Sequence, residues 1–150
     1  MTLKTIEWKD NSVIMIDQTK LPNSLEYVTY TDYNQVADAI RTLVVRGAPA
    51  IGVSGAFGMA LAVLQSLSNT KEDLLSDLEK AKKTLFDTRH TAINLSWALE
   101  KIMQIAKQGK TVSEIKDSII AKAKQMAEED ININKKMGKM VQNYFKITIQ

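Results

Sequence analysis

The chain of 150 residues has the length of one ordinary globular domain, with 45% apolar residues for a core and 25% charged residues for a surface. Twenty basic and 17 acidic residues give a net charge of +3, which is too small and too evenly spread to indicate a nucleic-acid partner. Cysteine is absent, which excludes disulfides and thiolate metal sites. Since there is one histidine and no HExxH motif or carboxylate cluster, we expect neither a metal ion nor another cofactor. The N-terminus has no apolar leader, so we expect a cytoplasmic protein without a membrane partner.

The first 30 residues have the pattern of a small β unit. Short apolar or alternating runs predict strands at residues 6–8, 13–16 and 25–30. Residues 9–12 and 21–24 have the composition of turns. We therefore expect an antiparallel unit of about three strands.

Helical periodicity begins at Asp32, which forms a predicted capping box with Gln35, and a second capping box is predicted at Thr111 and Glu114. Helices are predicted at residues 32–46, 49–67, 70–86, 91–107 and 111–137. The second is apolar nearly all round and long enough to raise the question of a membrane span, but its glycine, serine and glutamine residues favour a buried core helix. The predicted fold is α+β, a small antiparallel β unit followed by a bundle of about five helices, in one domain over residues 1–139.

The turn before the second helix is the most informative segment, residues 44–56 (VVRGAPAIGVSGA). Arg46 and Gly47 have the pattern that ends a helix, and Pro49 suits the first turn of the next one. Free N–H groups at a helix start beside a guanidinium form an anion site. The alternative to an anion site is that Arg46 only caps the end of a helix and is solvated. Three glycines at a spacing of three indicate a face without side chains, open to another backbone or to a ligand: Gly52, Gly55 and Gly58.

Three segments resemble, in chain order, motifs of the methylthioribose-1-phosphate isomerases of methionine salvage: residues 17–22 (DQTKLP), 45–52 (VRGAPAIG) and 88–95 (TRHTAINL). The wider relatives of these enzymes are the ribose-1,5-bisphosphate isomerases and the regulatory subunits of translation initiation factor 2B. The resemblance extends from about residue 6 to residue 138, and the DQTKLP segment favours the isomerase branch. His90 stands where the family usually has proline; a loop residue is favoured over a catalytic histidine there.

The resemblance implies a sugar-phosphate substrate, a homodimeric full-length protein and four substrate-binding residues: Arg46, Gly47, Ala48 and Arg89. The planar fork of arginine suits phosphate. In an up-down bundle the second and fourth helices start at the same end, so both guanidiniums can reach one anion. The alternative is that each arginine caps a helix and forms a surface pair with Asp38 or Asp87.

The resemblance also implies a second, Rossmann-like domain that carries a catalytic cysteine and aspartate. This sequence contains no cysteine, so we expect no catalytic residue in it and no turnover by it alone. Three classes of function stay open: the phosphate-binding half of an isomerase, a non-catalytic regulatory module, and a structural helical domain without a ligand.

Residues 140–150 do not resemble the family. One inserted adenine after codon 139 permits the continuation Asn-Gly-Ala-Glu-Leu that the family has at this point. We therefore interpret these residues as a frameshifted tail, with a natural short paralogue as the alternative.

Overall fold

A computed structural model describes residues 4–149, apart from the side chains of residues 134 and 144–149. The predicted α+β fold is confirmed. The strands are β1 (Ile6–Lys9), β2 (Ser12–Ile16) and β3 (Tyr27–Tyr30), which form an antiparallel sheet in the order β1-β2-β3. Asp10 and Asn11 link the first two strands with φ values of 53° and 57°, the backbone of a two-residue hairpin turn that asparagine and aspartate tolerate.

The first helix, α1 (Tyr33–Arg41), begins at the predicted capping box of Asp32 and Gln35. It ends at Arg41, so the prediction that Arg46 and Gly47 close this helix is wrong. The reason is Leu43, whose φ of 66° turns the chain. The N–H of Val44 then donates to the carbonyl of Ala39 at 2.9 Å, a Schellman-type helix end in which leucine takes the usual place of glycine.

The second helix, α2 (Ala48–Gln65), lies at the centre of the domain and contacts α1, β1 and each of the three later helices. Its length and hydropathy would suit a membrane span, but 72% of that stretch is buried inside the domain. Trp8 of β1 stacks on Phe57 of α2 with ring centroids 5.6 Å apart. The prediction of a buried core helix is therefore confirmed.

The remaining helices are α3 (Lys71–Phe86), α4 (Ile93–Gln108) and α5 (Val112–Ile149). The apolar stripes predicted for α3 and α4 are buried, at Leu74, Leu78, Ala81, Leu85, Leu95, Ala98, Leu99, Ile102 and Ala106. The prediction that α5 ends near residue 137 is wrong, because the helix continues through Gly138. A lone glycine lowers helix stability by only about 1 kcal/mol relative to alanine and does not end a helix by itself.

Candidate functional site

A cavity of about 500 Å³ lies where the β unit, the start of α2 and the middle of α5 meet. Its polar lining consists of Lys4, Thr5, Gln18, Arg46, Asp130 and Lys135. The start of α2 contributes Gly47, Pro49 and Ala50. The cavity is thus built from segments that are far apart in the sequence, and it includes two of the predicted site residues.

The start of α2 forms part of the cavity lining. Gly47 occupies the N-cap position, and among the described residues no side chain caps the helix. Its φ of 93° requires glycine, although an added Cβ would meet nothing within 4 Å. The first N–H groups of a helix have no partner inside the helix, and the helix dipole makes this end positive. This end of α2 therefore favours an anion.

Two of the sequence segments that carry the family resemblance meet beside the helix start. The N–H of Gln18, in a 3₁₀ turn over Gln18–Lys20, donates to the carbonyl of Val44 at 2.9 Å. The carboxylate of Asp17 caps this turn by accepting from the N–H of Thr19 at 3.0 Å. The Nε of Arg46 donates to the carbonyl of Leu43 at 3.3 Å, and the residue is exposed. The 3₁₀ turn therefore supports the loop that carries Arg46.

The charges in the cavity lining favour an anion that also has hydrogen-bond donors. Lys4, Arg46 and Lys135 are cationic, and Asp130 is the carboxylate among the lining residues. Burial raises the pKa of Asp130 above its usual value. The lining therefore combines a positive excess with a partly desolvated acceptor.

Arg89 lies in the loop between α3 and α4 and is exposed. A Cβ placed on Gly52 of α2 would lie 3.1 Å from the carbonyl oxygen of Asn94, at the start of α4. The starts of the two helices therefore share an end of the bundle, as the up-down order predicts. The cavity lining includes Arg46 and Gly47 but neither Ala48 nor Arg89. Joint binding of one anion by the two arginines stays a prediction.

The alternative in which the arginines form surface ion pairs finds no support in the described part of the chain. Asp38 pairs with Arg41, one turn away on α1. Over residues 4–149, with the side-chain exceptions given above, neither Arg46 nor Arg89 takes part in a salt bridge.

The glycines of α2 serve helix packing. A Cβ on Gly55 would lie 2.6 Å from a methyl carbon of Leu95 in α4, and Gly52 faces α4 as well. Gly58 instead faces Leu85 of α3. The prediction that the three glycines share one face is therefore wrong for Gly58, since six residues rotate a helix by about 240°.

Sequence reasoning did not find three charged residues of the cavity: Lys4, Asp130 and Lys135. They lie far from Arg46 along the chain, and their place depends on which face of α5 meets the β unit. Helical spacing of the cavity-lining residues Ala127, Asp130 and Ile131 is the signal that defines this face. His90 is exposed in its loop, with its ring centroid 6.4 Å from that of Phe86.

The fold and the site together define an α+β domain with a positively charged cavity at the start of its central helix. The sequence pattern of the Initiation factor 2 subunit family matches residues 44–149, and the chain belongs to this family. The matched range includes residues 140–149, whose interpretation as a frameshifted tail stays a prediction.

Named relatives agree with this assignment. The methylthioribose-1-phosphate isomerase of Geobacter metallireducens is 43% identical over 141 residues, which are 93% of this chain and 41% of that protein. The protein of the same name from Desulforudis audaxviator is 40% identical over 141 residues, which are 92% of this chain and 40% of that protein. The chain thus spans about two fifths of the length of these relatives.

Two crystal structures share the fold with a TM-score of 0.82 and 40% identity. One is the 5-methylthioribose 1-phosphate isomerase of Pyrococcus horikoshii OT3, where the likeness covers 85% of this chain and 36% of that one. The other is subunit delta of the translation initiation factor eIF-2B from A. fulgidus, where the likeness covers 87% of this chain and 38% of that one.

Proposed function

We propose that this chain is the substrate-phosphate-binding half of an aldose–ketose isomerase that converts 5-methylthioribose 1-phosphate to 5-methylthioribulose 1-phosphate in methionine salvage. The observation that carries the proposal is the uncapped start of α2, where Arg46 and Gly47 line a positively charged cavity. The names of relatives at about 40% identity supply the substrate.

The isomerisation reaction explains why binding of the substrate's phosphate is important for catalysis. The isomerisation moves a hydrogen from C2 to C1 of the sugar and leaves the phosphate on C1. A phosphate fixed by a bidentate guanidinium and by helix N–H groups therefore holds both reacting carbons beside it, and such positioning is a large part of catalysis. The acid–base groups belong, by family resemblance, to a second domain with a cysteine and an aspartate. We expect the 150-residue chain to bind the substrate without converting it.

A second candidate function is a non-catalytic regulatory module that binds a sugar phosphate or a nucleotide. The likeness to the A. fulgidus initiation-factor subunit favours it. Gln18 of the DQTKLP segment lines the cavity, which supports the isomerase because this segment resembles that branch.

Titration calorimetry on the 150-residue chain with 5-methylthioribose 1-phosphate tests the proposal. We expect binding by the unaltered chain, and Arg46→Ala and Arg89→Ala should each weaken it roughly 10- to 150-fold, because a hydrogen bond to a charged group contributes about 1.5–3 kcal/mol. Arg46→Lys should restore only part of the affinity, since a point charge lacks the planar fork. Product formation by this chain, above a heat-denatured control, would contradict the expected lack of turnover.

Arg41→Ala is the matched control, since Arg41 is an exposed arginine near the end of α1 that does not line the cavity. It should leave the affinity unchanged. The phosphate-binding role is wrong if Arg46→Ala and Arg89→Ala keep full affinity, or if affinity falls only in step with a loss of thermal stability. Tighter binding of AMP than of 5-methylthioribose 1-phosphate would favour the regulatory candidate.

A further inference from the structure

The carboxylate of Asp130 is the unexpected group in a cavity that otherwise suits an anion. Asp130 lies on α5, more than 80 residues after Arg46, and the two residues line the same cavity. Ala127, one turn away on α5, and the adjacent Ile131 line it as well, so this face of the helix forms part of the cavity wall together with the start of α2.

A carboxylate in this position works against a bare phosphate ion. Two negative charges in one partly desolvated cavity repel each other, and this repulsion weakens only if the ligand also brings a hydrogen-bond donor to the carboxylate. A sugar phosphate has such donors in its ribose hydroxyls. Inorganic phosphate carries a similar charge but has no sugar hydroxyl that could donate to the carboxylate.

We propose that Asp130 is a specificity-determining residue, whose carboxylate accepts a hydrogen bond from a ribose hydroxyl while the start of α2 and Arg46 hold the phosphate. This inference rests on the proposed function and deepens it. A site that binds a substrate hydroxyl with a partly buried polar group discriminates strongly against ligands that lack the hydroxyl. Asp130 thereby selects phosphorylated sugars over free phosphate.

The burial of Asp130 supports this role independently of the cavity's shape. Desolvation raises the pKa of its carboxyl, so the surroundings of the group do not fully compensate its charge. A hydrogen bond from a ligand hydroxyl supplies compensation in the bound state. The exposed neighbour Glu129 carries the same charge one position earlier and does not line the cavity.

The test compares two probes, 5-methylthioribose 1-phosphate and inorganic phosphate, by calorimetric titration of the 150-residue chain and its variants. In Asp130→Asn and Asp130→Ala we expect the sugar phosphate to bind roughly 10- to 100-fold more weakly, as for loss of a charged hydrogen bond. Inorganic phosphate should bind equally well or more tightly. Glu129→Gln removes the same charge outside the cavity and should leave the ratio of the two affinities unchanged.

The possible outcomes separate the inference from the proposed function. If Asp130→Asn and Asp130→Ala tighten both probes equally, Asp130 only repels anions and the inference is wrong. It is equally wrong if neither affinity changes, or if both fall together with the melting temperature. If the unaltered chain binds neither probe, the proposed function itself fails, and this result is visible before any variant is made.

Discussion

Replacing Gly58 with alanine is expected to destabilise the domain when Leu85 is present and to stabilise it when Leu85 is shortened. A Cβ on Gly58 would lie 2.9 Å from one methyl carbon of Leu85, closer than Cβ contacts occur in proteins, and 3.0 Å from the other. Leu85 is fully buried, so a rotation that moves one methyl group away brings others into a packed core.

The magnitude follows from two opposing terms. Overpacking a core by one methyl group costs typically about 1–3 kcal/mol. Alanine gains about 0.8–1.0 kcal/mol over glycine inside a helix. Gly58→Ala should therefore lower the free energy of unfolding by roughly 0–2 kcal/mol. In a Leu85→Ala background, which by itself costs about 2–5 kcal/mol, the clash is gone and Gly58→Ala should raise the free energy by about 1 kcal/mol.

Urea unfolding followed by circular dichroism at 222 nm measures all four free energies. The double-mutant cycle should give a coupling energy of about 1–3 kcal/mol between the two positions. Gly138→Ala in α5 is the control, since a Cβ there meets nothing within 4 Å and should couple to nothing. If Gly58→Ala has the same effect in both backgrounds, the close approach of α2 and α3 at this point is refuted.

Two further predictions concern pH. The hydroxyls of Ser66 and Ser68 each donate to Asp77 at 2.7 Å and hold the pKa of that carboxyl below its usual value. The charged carboxylate should therefore stabilise the folded domain above about pH 4. This stabilisation should be lost as the pH falls through the pKa that Asp77 has in the folded state. Asp77→Asn should flatten this part of the curve of melting temperature against pH, and an unchanged curve would contradict the role. Burial, together with two nearby carboxylates, raises the pKa of Tyr30. The unfolded chain therefore loses this proton at a lower pH than the folded domain, and the free energy of unfolding should fall as the pH rises above about 10. In an absorbance titration at 295 nm, Tyr30→Phe should remove one tyrosine that ionises above the usual pKa of about 10. Loss of a tyrosine that ionises at the usual pH would show that the pKa of Tyr30 is not raised.

The sequence predicts those parts of the fold where local chemistry and packing agree. The capping box at Asp32 forms, and at the start of α5 the hydroxyl of Thr111 accepts from the N–H of Glu114 at 3.1 Å. The end of α1 could not be found in this way, because leucine is not a residue that signals positive φ.

The candidate site, like the fold, could be predicted from the sequence only in part. Arg46 and Gly47 follow from the resemblance and from the chemistry of a helix start, and both line the cavity. Lys4, Asp130 and Lys135 enter the cavity only through the docking of α5 on the β unit. Helical spacing on α5 marks this face of the helix but not the element against which the face packs, so the charges that complete the cavity need the three-dimensional structure.

The central position of α2 has a consequence for the synthesis of the chain on the ribosome. The helix is apolar on every side, and three of the elements that cover it follow it in the sequence: α3, α4 and α5. About 60 residues separate its end from Met126, the last buried core residue. At a translation rate of about 5–20 residues per second, the faces of this nascent helix that the later helices bury remain uncovered for roughly 3–12 s. During that interval its surface is a binding site for chaperones and for other nascent chains, so the yield of folded protein depends on the speed of translation downstream of α2.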